Sequence, residues 1–232
     1  MSGRTETPGH ENKKVFGYQP ALDGVRAIAV LLVMLGHLGL VSAGGLGVDI
    51  FFVLSGYLIT AILVSEFSTT GGISLKKFYA RRALRILPAV ILLLAVLNIL
   101  VEATQTSEQA HTFQWNSLGA LFYIANWLRA FGRGIGILGH LWSLSIEEQF
   151  YLLWPIALAF LLSRKLKRSQ ILIVIGFAVV LVNLDRIYLY RGIESFNRIY
   201  NGLDTRADAL LVGCAFGLSG YMFLSRRVFA VL

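Results

Sequence analysis

Three ionisable side chains stand in or beside one apolar run, LDGVRAIAVLLVMLGHLG at 22–39. Asp23, Arg26 and His37 are each costly in hydrocarbon, and an ionisable group at membrane depth marks a functional site by default. Arg26 and His37 are separated by three helical turns plus about 20°, so a helix puts them on one face about 16 Å apart along its axis. Asp23 lies one turn below Arg26 on the same face. The result is a polar stripe with a cation towards one end and an imidazole towards the other. A neutral imidazole can take a proton from a hydroxyl as a general base. The bland alternative is a histidine that only hydrogen-bonds a neighbouring helix; the arginine and aspartate on the same stripe favour chemistry.

Two further stretches carry charge in apolar surroundings. In KKFYARRALRILP, 76–88, Arg82 and Arg85 are three apart and so neighbours on one helix face. Planar guanidinium forks suit phosphate, whereas Lys76 and Lys77 read as plain anchors at a membrane surface. In HLWSLSIEEQFYLLWP, 140–155, Glu147 and Glu148 fall near the start of a span, where burying both would be costly. His140 reads as a helix cap, and Trp142, Tyr151 and Trp154 as aromatics of the membrane interface. Asp49 opens the span GVDIFFVLSG and can pair with a neighbouring charge. Gly47, Ser55 and Gly56 beside it would let helices approach closely. Arg206 and Asp208 in TRADALLVG read as residues of a helix start. There is no Walker loop, no HExxH and no Cys or His cluster in the sequence, so ATP hydrolysis and metalloprotease chemistry have no support and no metal is expected.

The elements that position these residues follow from hydropathy. The 232 residues are 56% hydrophobic and only 15% charged, with mean hydropathy +0.68; a soluble domain is nearer a quarter charged. Stretches free of Asp, Glu, Lys and Arg run through 27–48, 50–65, 86–101, 149–163, 169–184 and 209–225, lengths close to what a bilayer requires. The fold class expected is all-α, a polytopic transmembrane helical bundle of about six full spans, at 22–41, 48–66, 86–101, 143–162, 169–187 and 207–224. The excess of Lys and Arg, 21 against 13 Asp and Glu, clusters between the apolar runs. That fits cytoplasmic loops under the positive-inside rule rather than a nucleic-acid partner. The basic segments 76–85 and 163–168 then lie inside, with a cytoplasmic tail at 1–19 and a membrane-embedded domain over 20–232. Segment 102–116 is expected as an external loop. If 117–139 crossed the bilayer, SRKLKR at 163–168 would lie outside, so this stretch is expected as a short re-entrant or interfacial segment, broken by the Gly-rich turn GRGIGILG. The one cysteine, Cys214, reads as a packing residue. No cleaved signal peptide is expected, the first span serving as the targeting signal.

The ordered set LDGVRAIAVLLVMLGH, GGLGVDIFFVLSGYLIT, FYARRALRILP and HLWSLSIEEQFYLLWP, with RADALLVGCAFGL later in the chain, closely resembles the acyltransferase 3 family. The match covers roughly residues 18–220. The resemblance implies a bacterial inner-membrane enzyme with a cytoplasmic N-terminus. Its donor would be acyl-CoA, usually acetyl-CoA, and its acceptor a carbohydrate or glycolipid hydroxyl commonly outside. Transport or flipping of a glycan is the alternative function. The family's Arg-x10-His pair falls on Arg26 and His37, its RxxR motif on Arg82 and Arg85, and the Glu of WSLSxE on Glu147. His37 and Glu147 are thus the expected catalytic pair and Arg26, Arg82 and Arg85 the donor-binding cations. Asp23, Asp49 and Glu148 take supporting roles. Family members usually carry about ten spans, so the domain is expected to be C-terminally incomplete in this chain.

Overall fold

A computed structural model describes residues 19–219, apart from positions 43 and 193. The expected tail before residue 19 and the end of the last expected span lie outside the described residues. Five stretches are long and apolar enough to cross a membrane, as expected for a helical integral membrane protein. The helices are α1 (Pro20–His37), α2 (Gly44–Thr70), α3 (Leu75–Thr104), α4 (Ser107–Leu121), α5 (Ala125–Ala130), α6 (Trp142–Ser163), α7 (Arg168–Arg191), α8 (Phe196–Asn201) and α9 (Leu203–Ser219), with a 3-10 turn at Gly136–Leu141 before α6. No strand occurs among the described residues. The sixth expected span, α9, is described for 17 residues.

α1 starts with Pro20 in its first turn, where the missing N–H costs nothing. It stops four residues earlier than the hydropathy suggests. Gly39 adopts φ +70°; its N–H bonds the Gly36 carbonyl, and the Leu40 N–H bonds that of Leu35. This glycine-terminated pattern ends the helix and makes His37 its last residue. α3 begins well before the apolar run that announces it, so the basic residues 76–85 form its first turns. At about 1.5 Å per residue, its 30 residues reach across the headgroup layers as well as the hydrocarbon.

The expected loop 102–116 is not a loop. Residues 107–116 are helical, the first two-thirds of α4, and Thr106 and Gln109 close a reciprocal capping box at its start. The polar residues that lower the hydropathy of this stretch are those that build the helix cap. The segment 117–139 is broken three times, at Phe122–Ile124, after α5 and in the 3-10 turn. Tyr123 sits at the first break with φ +55°.

The core forms where α2 packs on α9, with α1 on one side, α7 behind α9 and α6 crossing α2. Between membrane helices the packing force comes from close approach rather than water exclusion. A Cβ on Gly47 would lie 2.6 Å from the Ala29 carbonyl oxygen, and one on Gly56 or Gly213 would strike the facing backbone of Leu210 or Val53. Both glycines flagged in GVDIFFVLSG thus serve close approach, and Cys214 is fully buried between Gly213 and Gly217. Ser55 meets Glu147 and Thr60 meets Trp154, so α2 and α6 run in the same direction. Their C-terminal ends, each followed by a basic segment, therefore share one side of the bundle.

Candidate active site

α1 carries both ends of the polar stripe. Near its start, Arg26 Nη1 donates to Asp23 Oδ1 at 2.9 Å, one turn away. At its end, His37 Nδ1 lies 2.8 Å from the Val33 carbonyl oxygen. A carbonyl can only accept, so Nδ1 carries a hydrogen, and in the neutral imidazole the lone pair falls on Nε2. The imidazole is exposed and Nε2 has no partner among the described residues. In this tautomer the nitrogen pointing away from the helix is the one able to accept a proton.

The second half of the site forms where α2, α3 and α6 meet. Ser55 Oγ donates to Glu147 Oε1 at 2.5 Å, and Tyr151, one turn further along α6, is buried. Arg82 grips Glu148 through Nε, at 2.9 and 3.1 Å, and through Nη2, at 2.6 Å. The guanidinium also lies over the Tyr151 ring, 3.4 Å from its centroid. Arg26 and Arg82 are both close enough to Glu147 to act on its charge. The two adjacent glutamates are thus divided: Glu148 pairs with Arg82, and Glu147 is held by the Ser55 hydroxyl.

A cleft of about 320 Å³ opens beside this cluster, lined by Tyr79, Arg82, Ile86, Tyr123, Glu148 and Tyr151 among others. Its wall is fixed by Gln149, whose amide donates to the Tyr123 carbonyl at 2.6 Å and to Asn126 Oδ1 at 2.8 Å. Those bonds hold the α4–α5 break against α6. Arg85 is exposed and has no carboxylate partner among the described residues. It is the free cation of the pair read from the RxxR spacing.

Arg26, Arg82, Glu147 and Glu148 are therefore brought together, with Asp23 beside Arg26. His37 stands apart at the other end of α1, and no hydrogen bond joins it to Glu147. Asp49 belongs to a third group, where it accepts from Arg206 Nη2 at 2.5 Å. Arg186 pairs there with Asp208 at 2.7 Å and donates to the Thr205 carbonyl. Asp49 does meet a neighbouring charge, and Arg206 and Asp208 prove to be ion-pair partners across α2, α7 and α9 rather than simple helix-start residues. Trp142, Tyr151 and Trp154 are not interface aromatics either. All three are buried, and Trp154 Nε1 donates to Thr60 at 2.9 Å. Nor does His140 cap α6, whose N-cap is Leu141 without a side-chain bond. Sequence reasoning missed the roles of Ser55 and Tyr151. The signal available was a hydroxyl and a phenol on the same runs as the charges. No group of three or more His, Cys, Asp or Glu able to hold a metal occurs among the described residues.

Comparison with known proteins agrees with these motifs. The family model described as an acyltransferase domain, that of acyltransferase 3, matches residues 19–229. The Staphylococcus aureus (strain MSSA476) protein SAS0844, provisionally named an O-acetyltransferase, is 40% identical over 221 residues, which covers 90% of this chain and 36% of that protein. The O-acetyltransferase OatA of Staphylococcus aureus (strain NCTC 8325) is 42% identical over 207 residues, covering 85% of this chain and 34% of its own. The chain thus spans about a third of the length of these relatives. No solved structure matches it. With the arginine–histidine stripe on α1, the arginine pair on α3 and the glutamates on α6 all inside the matched region, the chain belongs to the acyltransferase 3 family.

Proposed function

We propose that this chain forms the membrane-embedded site of an O-acyltransferase that moves an acyl group, acetyl in the simplest case, from cytoplasmic acyl-CoA to a carbohydrate hydroxyl presented at the opposite side. The observation that carries the reading is the polar track on α1. Cations and carboxylates gather at its Arg26 end, and a histidine with an open Nε2 stands at its other end, about 16 Å away.

The basic turns of α3 and the basic segment after α6 share one side of the bundle, which the positive-inside rule makes cytoplasmic. Phosphates of the donor dock there against Arg85, with Arg82 and Arg26 deeper. The thioester arm runs along the track towards His37. His37 Nε2 takes the hydroxyl proton, the alkoxide oxygen bonds the thioester carbonyl carbon, and the carbon–sulfur bond breaks. The CoA thiolate leaves and the histidine proton is returned as the products part. A histidine that itself carries the acyl group would divide this into two transfers at the same nitrogen. Glu147, poised between Arg26 and Arg82, balances the cation charge when the donor is absent.

The direct test is mass spectrometry of surface glycans from cells with and without the intact gene. Loss of an O-acyl mass increment on one glycan supports the reading. An unchanged glycan profile, together with transport of unmodified glycan by the purified protein without acyl-CoA, would replace it by the transport reading.

A further inference from the structure

A second polar cavity lies at the His37 end of the bundle, in the broken stretch that precedes α6. It encloses about 310 Å³ and is lined by Arg129, Gly132, Arg133, Gly134, Gly136 and Asn197 among others. Arg129 uses Nη1 to donate to the Gly139 carbonyl at 2.8 Å. Neither Arg129 nor Arg133 has a carboxylate partner among the described residues, whereas three arginines near this end, Arg186, Arg198 and Arg206, are all ion-paired. Two uncompensated guanidinium groups at one cavity favour an anion, which accepts charge-assisted hydrogen bonds from such forks.

The backbone keeps the cavity open. Gly132 and Gly136 turn the chain at φ +77° and +53°, a conformation that favours glycine, and a Cβ on Gly134 would meet nothing within 4 Å. Gly134, Ile135 and Gly136 also wall a neighbouring groove of about 450 Å³, which offers Gln109, Thr112, Asn116 and Phe113. Amides, a hydroxyl and an aromatic ring are the groups that sugars use. Glu108 lines that groove too but pairs with neither arginine.

We infer that Arg129 and Arg133 form an acceptor subsite that reads an acidic sugar, its carboxylate or phosphate held by the two guanidinium groups and the neighbouring residue in the groove walled by Gly134–Gly136. The subsite deepens the acyl-transfer reading, yet its binding can be measured without turnover, so the two stand or fall separately. Arg133 is exposed and packs against no core, so its loss leaves the fold intact.

The experiment is calorimetry on the full-length protein in nanodiscs of neutral phosphatidylcholine. The probes are a glucuronate-containing disaccharide, a phosphosugar disaccharide and their neutral glucose counterpart. Wild type is expected to bind an acidic probe at least tenfold more tightly than the neutral one, a preference that Arg133→Ala abolishes and that Arg129→Lys weakens. Gly176→Ala, which adds a methyl group in open space on α7 away from both cavities, leaves it unchanged. Equal binding of acidic and neutral probes, or an unaltered preference in Arg133→Ala, overturns the subsite. Displacement of the acidic probes by a physiological fraction of phosphatidylglycerol in the disc would also overturn it, by assigning the arginines to lipid headgroups. Acidic-sugar binding with no acyl transfer would leave the subsite standing and remove the catalytic reading instead.

Discussion

Arg82 and Arg85 show how identical residues three apart acquire different chemistry. Arg82 is three-quarters covered and bonded to Glu148 through both Nε and Nη2, with side-chain exposures of 23% and 13% for the pair. Removing one partner of such a pair strands a buried charge, at a cost of about 3 kcal/mol or more. Arg82→Ala should therefore lower the thermal stability of the purified protein, and the paired change Arg82→Met with Glu148→Leu should recover most of the loss. Arg85 has no such duty. Arg85→Ala should leave stability within about 0.5 kcal/mol yet weaken acyl-CoA binding roughly tenfold; unchanged donor affinity would remove it from phosphate docking. The spacing identified both arginines, and the family motif pointed to Glu147. That Arg82 closes on Glu148, 66 residues away, and that Glu147 turns to Ser55 were not legible, because adjacent glutamates face different neighbours only once α2, α3 and α6 are assembled.

At the scale of elements, the small residues of α2 and α9 set how closely the core helices approach. Gly56→Ala puts a methyl group into the Leu210 backbone, and overpacking of this kind costs about 1–3 kcal/mol. Its melting temperature in detergent should fall by several degrees, whereas Gly176→Ala on α7, where a Cβ meets nothing, should be neutral. Charge-free runs revealed α2, α3, α6 and α7 because membrane helices are apolar throughout. They hid the start of α4, since Thr106, Glu108 and Gln109 cap and solvate a helix end while reading as a loop in hydropathy. They also placed the end of α1 too late, because hydropathy does not register the backbone turn at Gly39.

Across the whole molecule, parallel α2 and α6 separate two chemically different ends. One carries the basic turns around Lys76–Arg85 and 164–168. The other carries His37, the ion pairs of Asp49, Arg186, Arg206 and Asp208, and the cavity of Arg129 and Arg133. Cys214 is fully buried and so should be silent in labelling. In intact cells a membrane-impermeant maleimide should modify Gly134→Cys and should reach Gly72→Cys only after the membrane is breached. The reverse pattern would invert the orientation and with it the side on which donor and acceptor arrive.

In the proposed mechanism His37 performs the transfer at the far end of a track that begins with donor-binding cations. Its most direct test is acyl transfer from acyl-CoA by full-length protein in liposomes, wild type against His37→Ala. His37 is exposed and caps no packing contact, so the variant should insert normally, bind donor within about twofold of wild type, and lose at least about 100-fold in kcat, the scale of a positioned general base. Wild-type turnover in a normally inserted His37→Ala protein would contradict the account.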